Sequence, residues 1–100
     1  PCDMEMPDIV ALYPEYHERG LEIVAVDVAE KPDRVAAFVK RHRIPFTMLL
    51  DRGGEVRQAY FVRGMPTSVF IDQEGLIHAV HLGGLTQTML RGYLDDLMTP

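Results

Sequence analysis

Apolar positions recur every three or four residues at the start of the chain. Met6, Ile9, Val10, Tyr13 and Tyr16 share one face of a helix predicted over Cys2 to Arg19, with Asp3, Glu5 and Asp8 in its first turns and Gly20 as its stop. Pro7 lies near the start and is expected only to kink this helix. Pro14 is expected to break it or bend it sharply, because proline brings no N–H to the ladder. The period then changes. Glu22 to Val28 (EIVAVDV) is nearly all apolar and rich in β-branched residues, which predicts a strand buried on both faces, as in parallel sheets. Lys31 to Arg43 returns to helical spacing, with Val35, Phe38 and Val39 as its apolar stripe and Pro32 in the first turn. Pro45 to Leu50 is a second strand, so this stretch forms a β-α-β unit with a right-handed crossover.

Asp51-Arg52-Gly53-Gly54 is a turn, and Glu55 to Phe61 reads as a short helix with Val56, Ala59 and Tyr60 inward. Thr67 to Ile71 is an apolar strand. The turn Asp72-Gln73-Glu74-Gly75 sends the chain back through Leu76 to Leu82 as an antiparallel partner. After the break at Gly83-Gly84, Thr86 caps a last helix that buries Leu90, Tyr93, Leu94 and Leu97. No repeat, low-complexity segment or linker divides residues 1–100, which read as one domain.

Composition narrows the functions. Of 100 residues 47% are hydrophobic, enough for a core, and 10 Lys and Arg against 15 Asp and Glu leave a net charge of -5. The basic residues are scattered apart from Lys40-Arg41-His42-Arg43, which argues against a nucleic-acid partner. No run of 18 apolar residues exists, so no membrane insertion of this segment is expected. The glycine pairs lack the spacing and the lysine of a phosphate loop. His17, His42, His78 and His81 are expected at the surface or an edge, His78 and His81 on opposite faces of one strand. No metal and no cofactor are expected.

Candidate chemistry lies at the amino end. Cys2, the single cysteine, follows Pro1 at the predicted start of a helix. Free N–H groups and the helix dipole favour a thiolate there, and Pro-Cys reads as the second half of a Cys-x-Pro-Cys redox site. The plainer alternative is a small buried apolar residue. Glu5, one turn on, is either an ordinary first-turn carboxylate or a partly buried acid that tunes a thiol and moves its proton. Pro66, in Met65-Pro66-Thr67, is either a plain loop proline before a strand or something more specific.

The more specific reading comes from a resemblance. Pro1-Cys2-x-x-Glu5-Met6-Pro7, Gly20-Leu21-Glu22-Ile23-Val24-Ala25-Val26, Ile44-Pro45-Phe46, Leu50-Asp51-x-x-Gly54, Val62-x-Gly64-x-Pro66-Thr67 and Phe70-Ile71-Asp72-x-x-Gly75 follow in an order that resembles the TlpA/ResA-type thiol-disulfide oxidoreductases of the thioredoxin-like superfamily. The resemblance implies an α/β fold, a central mixed β-sheet flanked by helices, here lacking the first (central) strand. That strand would lie between Glu22–Val28 and Thr67–Ile71, and a Trp-Cys-x would precede Pro1. Without it the chain is expected to be poorly stable, or to close the gap by rearrangement or association.

The resemblance also implies roles. Cys2 would be the resolving thiol, Glu5 its acid and Pro66 a cis-proline facing the dithiol, with Pro1, Met65 and Thr67 against the substrate. Protein thiols or disulfides would be the substrates and a membrane-embedded thiol protein the electron donor. The setting would be a bacterial periplasm or other extracytoplasmic space, in cytochrome c biogenesis or a related pathway. With one thiol, this chain would not cycle between dithiol and disulfide by itself. Two further readings stand beside this one. The first is a peroxiredoxin-like (AhpC/TSA) peroxidase with Cys2 as its nucleophile, which needs a Thr or Ser three residues before Cys2. The second is a non-catalytic thioredoxin-like interaction module.

Overall fold

The computed structural model describes the backbone of residues 2–28 and 30–99, and the side chains of 4–28 and 30–99. The expectations for Pro1 and for the side chain of Cys2 therefore lie outside the described residues. The elements run α1 (Cys2–Glu18), β1 (Val24–Val28), α2 (Pro32–His42), β2 (Thr47–Asp51), α3 (Glu55–Ala59), β3 (Thr67–Ile71), β4 (Ile77–Leu82) and α4 (Gln87–Met98).

One helix, α1, contains both Pro7 and Pro14, so Pro14 does not break it. Pro14 sits on the exposed side, where water can satisfy the carbonyl it leaves free, while Leu12, Tyr13 and Tyr16 around it are buried. Burial of those three side chains, at roughly 1.5–3 kcal/mol each, outweighs a proline penalty of about 3 kcal/mol.

β1 pairs in parallel with β2, Ala25 opposite Met48, and β3 pairs antiparallel with β4, Phe70 opposite Ala79. Among the described residues no strand pairing joins the two pairs, so the sheet is split into two two-stranded halves. That is the form a mixed sheet takes when its middle strand is lacking. Each half has one covered face. Ala25 and Met48 pack with Met6, Tyr13, Ile44 and Phe46, beneath α1 and α2. Phe70 and Ala79 pack with Leu12, Tyr16, Leu85, Leu90 and Leu94, beneath α1 and α4. The other faces are open: Val24 is 55% and Val80 57% exposed. The expected strand buried on both faces is thus buried on one, because the helices described here cover one side only.

Two local features correct the sequence reading. Val56 and Ala59 of α3, and Tyr60 just after it, do not turn inward; the helix has no buried residue. It is held instead by the buried Asp51, whose carboxylate accepts from the Val56 N–H at 3.2 Å and the Arg57 N–H at 2.9 Å. The Arg57 N–H foremost, helped by those of Val56 and Glu55 and opposed by burial, holds this carboxyl below the usual range. A depressed folded value means the contribution is present above the unfolded carboxylate range and is lost as pH falls through the folded value. Asp51→Ala is expected to lower Tm by about 5 °C near neutral pH. In a melt series from pH 3 to 7 the deficit should shrink toward the acid end; a constant deficit would refute this role.

The second feature is a bulge in β4. The register shifts between Phe70 and Ile71, so that His78 becomes the extra residue between Ile77 and Ala79. A bulge re-aims the side chain it carries. His78 and His81 therefore both reach α4, His78 to Asp96 at 2.7 Å and His81 to Tyr93 at 3.0 Å, and do not diverge across the strand.

Candidate active site

Three segments meet around one buried acid. The first is the start of α1, which places Glu5 one helical turn after Cys2. Residues three apart on a helix fall on one face, so positions 2 and 5 lie on the same side of α1. Glu5 is 7% exposed. The second segment is the loop leading into β3. Its Met65–Pro66 peptide bond is cis, Pro66 is buried, and the Thr67 hydroxyl donates to the Gly64 carbonyl at 2.6 Å, closing the loop on itself. The third is Gly83-Gly84-Leu85, between β4 and α4.

Backbone hydrogen bonds tie the three together. The Gly83 N–H donates to the Pro66 carbonyl at 2.8 Å, and the Leu85 N–H donates to Glu5 Oε2 at 2.9 Å. Gly83 has φ +100°, a conformation that glycine adopts without strain and other residues rarely do. This glycine lets the strand end against Pro66 and turn at once toward Glu5. The start of α1 and the Pro66 loop are thus held in one frame by a segment that the sequence reading treated only as a break.

Burial pushes the Glu5 carboxyl above the ordinary glutamate value. The Leu85 N–H and the nearby His81 pull it partly back. A carboxyl held this way changes protonation closer to neutral pH than a surface one, which suits it to proton transfer. Met65 remains half exposed beside Pro66, its side chain open to a ligand, whereas the Thr67 hydroxyl is committed to the loop.

The sequence profile of the AhpC/TSA family matches residues 1–80, a span that includes Cys2, Glu5 and Met65-Pro66-Thr67. The chain belongs to the AhpC/TSA family. Its similarity to the thiol-disulfide oxidoreductase ResA of Halalkalibacterium halodurans is 40% identity over 95 residues, 95% of this chain and 54% of that protein. It therefore spans about half the length of the curated relatives it matches. Among solved structures it resembles MTB DsbF in its mixed oxidized and reduced forms, with a TM-score of 0.87 and 25% identity, over 96% of this chain and 70% of that one. A thiol:disulfide interchange protein of the thioredoxin family from Chlorobium tepidum matches with a TM-score of 0.89 over 99% of this chain and 72% of that one; at 24% identity this shows the fold alone. The fold of this AhpC/TSA member is thioredoxin-like, and its named relatives are thiol-disulfide oxidoreductases.

Two parts of the site were missed in the sequence. The Leu85 N–H and Gly83 act through backbone atoms, which every residue carries. Only the glycine pair before a helix cap hinted at them. His81, read as an edge residue, instead bridges Tyr93 and the Gly84 carbonyl. Among the described residues no group of three or more His, Cys, Asp or Glu could hold a metal ion, and no helix is long and apolar enough to cross a membrane. Asp27, near the end of β1, is a further, partly buried acid that the sequence reading passed over. Its Oδ1 has no hydrogen-bond partner among the described residues, and burial, then the neighbouring Glu30, push its carboxyl up.

Proposed function

We propose that this chain carries the Cys2 half of a thiol-disulfide exchange site acting on protein thiols and disulfides. The observation that carries the reading is a buried carboxyl one turn after the cysteine, tied through Gly83-Gly84-Leu85 to the Pro66 loop. The Cys2 thiolate attacks one sulfur of a disulfide. A new S–S bond forms to Cys2, the old one breaks, and the other sulfur leaves as a thiolate with the electron pair. Cys2 is oxidised and the leaving sulfur reduced. Glu5 takes the Cys2 proton or returns one to the leaving thiolate. In the complete exchange the disulfide attacked is the one a cysteine preceding Pro1 makes with its substrate, which makes Cys2 the resolving thiol. The backbone at Met65 and Pro66 offers an extended substrate segment a short edge, with Thr67 beside it, and Pro1 is read as a further substrate contact from its place before Cys2 in the sequence.

The curated relatives are named as oxidoreductases, which supports exchange over peroxide reduction or a purely binding role. A periplasmic or extracytoplasmic setting, with a membrane-embedded thiol protein as electron donor, completes the reading.

The test is the pH profile of Cys2 reactivity, followed by alkylation and by capture of a peptide disulfide as a mixed disulfide. A carboxylate one helical turn from a thiol raises the thiol's pKa by like-charge repulsion. Glu5→Gln removes that charge and should move the Cys2 profile about half to one pH unit lower. Superimposable profiles for parent and variant would refute the role of Glu5. Failure of Cys2 to form any mixed disulfide would refute the function.

A further inference from the structure

His81 and Glu5 grip opposite ends of one peptide group. The Gly84 carbonyl lies 3.2 Å from His81 Nε2, and the N–H of the same Gly84–Leu85 peptide donates to Glu5 Oε2 at 2.9 Å. The other ring nitrogen, Nδ1, lies 3.0 Å from the Tyr93 hydroxyl. A carbonyl oxygen can only accept, so Nε2 must carry a proton. In the neutral ring Nδ1 is then bare, and the Tyr93 hydroxyl must donate to it. The donors therefore all point one way: from Tyr93 to His81, from His81 to the Gly84 carbonyl, and from the Leu85 N–H to the Glu5 carboxylate. Tyr93 is held for this by stacking on Phe70, ring centroids 4.5 Å apart and planes 15° from parallel.

We propose that this oriented chain, with His81 as its positioning residue, sets the acid strength of Glu5. A peptide whose carbonyl accepts a hydrogen bond is polarised, and its N–H becomes a better donor. The chain thus favours the ionised form of Glu5 and offsets part of what burial does. The closeness of the His81 ring to Glu5 acts in the same direction. The titratable groups facing His81 are Glu5 from α1 and Tyr93 from α4, while β3 contributes the apolar Phe70. Other charges nearby are engaged elsewhere: Asp96 with His78, and Asp95 with Tyr16 and Arg19. The consequence for thiol chemistry rests on the proposed function; the coupling of His81 to Glu5 does not.

The experiment follows the Glu5 side-chain carboxyl carbon by NMR through a pH titration of the whole chain, in the parent and in His81→Leu, His81→Gln and Tyr93→Phe. His81→Leu removes the donor and should raise the Glu5 midpoint by about half a pH unit. His81→Gln keeps an N–H that reaches the Gly84 carbonyl and should return the midpoint most of the way. A His81→Leu midpoint equal to the parent's, or a Gln variant no different from the Leu variant, overturns the proposal. Should His81→Leu fail to fold, Tyr93→Phe decides. It keeps the ring on Phe70 and removes only the hydroxyl, so an upward shift supports the chain and an unchanged midpoint refutes it. If Glu5 responds in this way while Cys2 forms no mixed disulfide, the relay stands and the proposed function falls.

Discussion

Tyr16→Ala should lower the stability of this chain by about 3–5 kcal/mol, which is enough to unfold much of it at 37 °C. Tyr16 is 0% exposed and sits among Leu12, Phe70, Leu85, Leu90 and Leu94, where α1, α4 and β3 converge. Its loss leaves a ring-sized cavity in the larger of the two apolar clusters. It also strands polar groups. The Tyr16 hydroxyl donates to Asp95 Oδ1 at 2.6 Å, and the guanidinium groups of Arg19 and Arg91 lie 4.9 and 5.7 Å from the ring centre. The split sheet sharpens the dependence. With no strand pairing between the β1–β2 and β3–β4 pairs among the described residues, α1 joins them, through Met6 and Tyr13 on one side and Leu12 and Tyr16 on the other. Tyr16→Phe keeps the ring and gives up only the hydroxyl's two hydrogen bonds, to Asp95 and from Arg91, so it should cost about 1 kcal/mol. Urea unfolding of the two variants separates the terms. A Tyr16→Ala loss below about 1 kcal/mol would mean that the junction of the helices is not where the stability lies.

Gly83→Val is expected to cost about 2–3 kcal/mol and to disturb the site as well. The backbone there has φ +100°, which a β-branched residue cannot take without strain. Relief of that strain swings the Gly83 N–H away from the Pro66 carbonyl and carries the following Leu85 N–H away from Glu5. Losing the Leu85 bond leaves burial unopposed from that side, so the Glu5 midpoint should rise further than in any His81 variant. The same carboxyl titration, run beside a denaturation curve, reads both effects. A Gly83→Val protein with parental stability and an unmoved Glu5 would show that this loop does not hold the site together.

The periodicity of apolar residues carried the element order, because a helix or a strand is largely a local solution to burying one face. The same locality explains the Thr86 cap, whose side chain accepts the Met89 N–H. It also explains why Cys2, Glu5 and Met65-Pro66-Thr67 could be singled out: each is a short pattern of residue types. What could not be read locally was which side of each strand meets a helix. Val24 and Val26 look as buried in the sequence as Ala25, yet only the Ala25 face is covered by α1 and α2. Asp51 looked like a turn residue and proved to be the anchor of α3. Pro14 looked like a breaker and is carried through by the packing of its neighbours.

The order of elements, the thiol at a helix start and the motif around Pro66 were thus legible from residues 1–100 alone, since each depends on neighbours along the chain. The bulge at His78, the orientation of His81 and the seating of Glu5 against Leu85 came from the fold. They depend on hydrogen bonds to backbone atoms up to 80 positions away, and every residue presents the same backbone whatever its side chain.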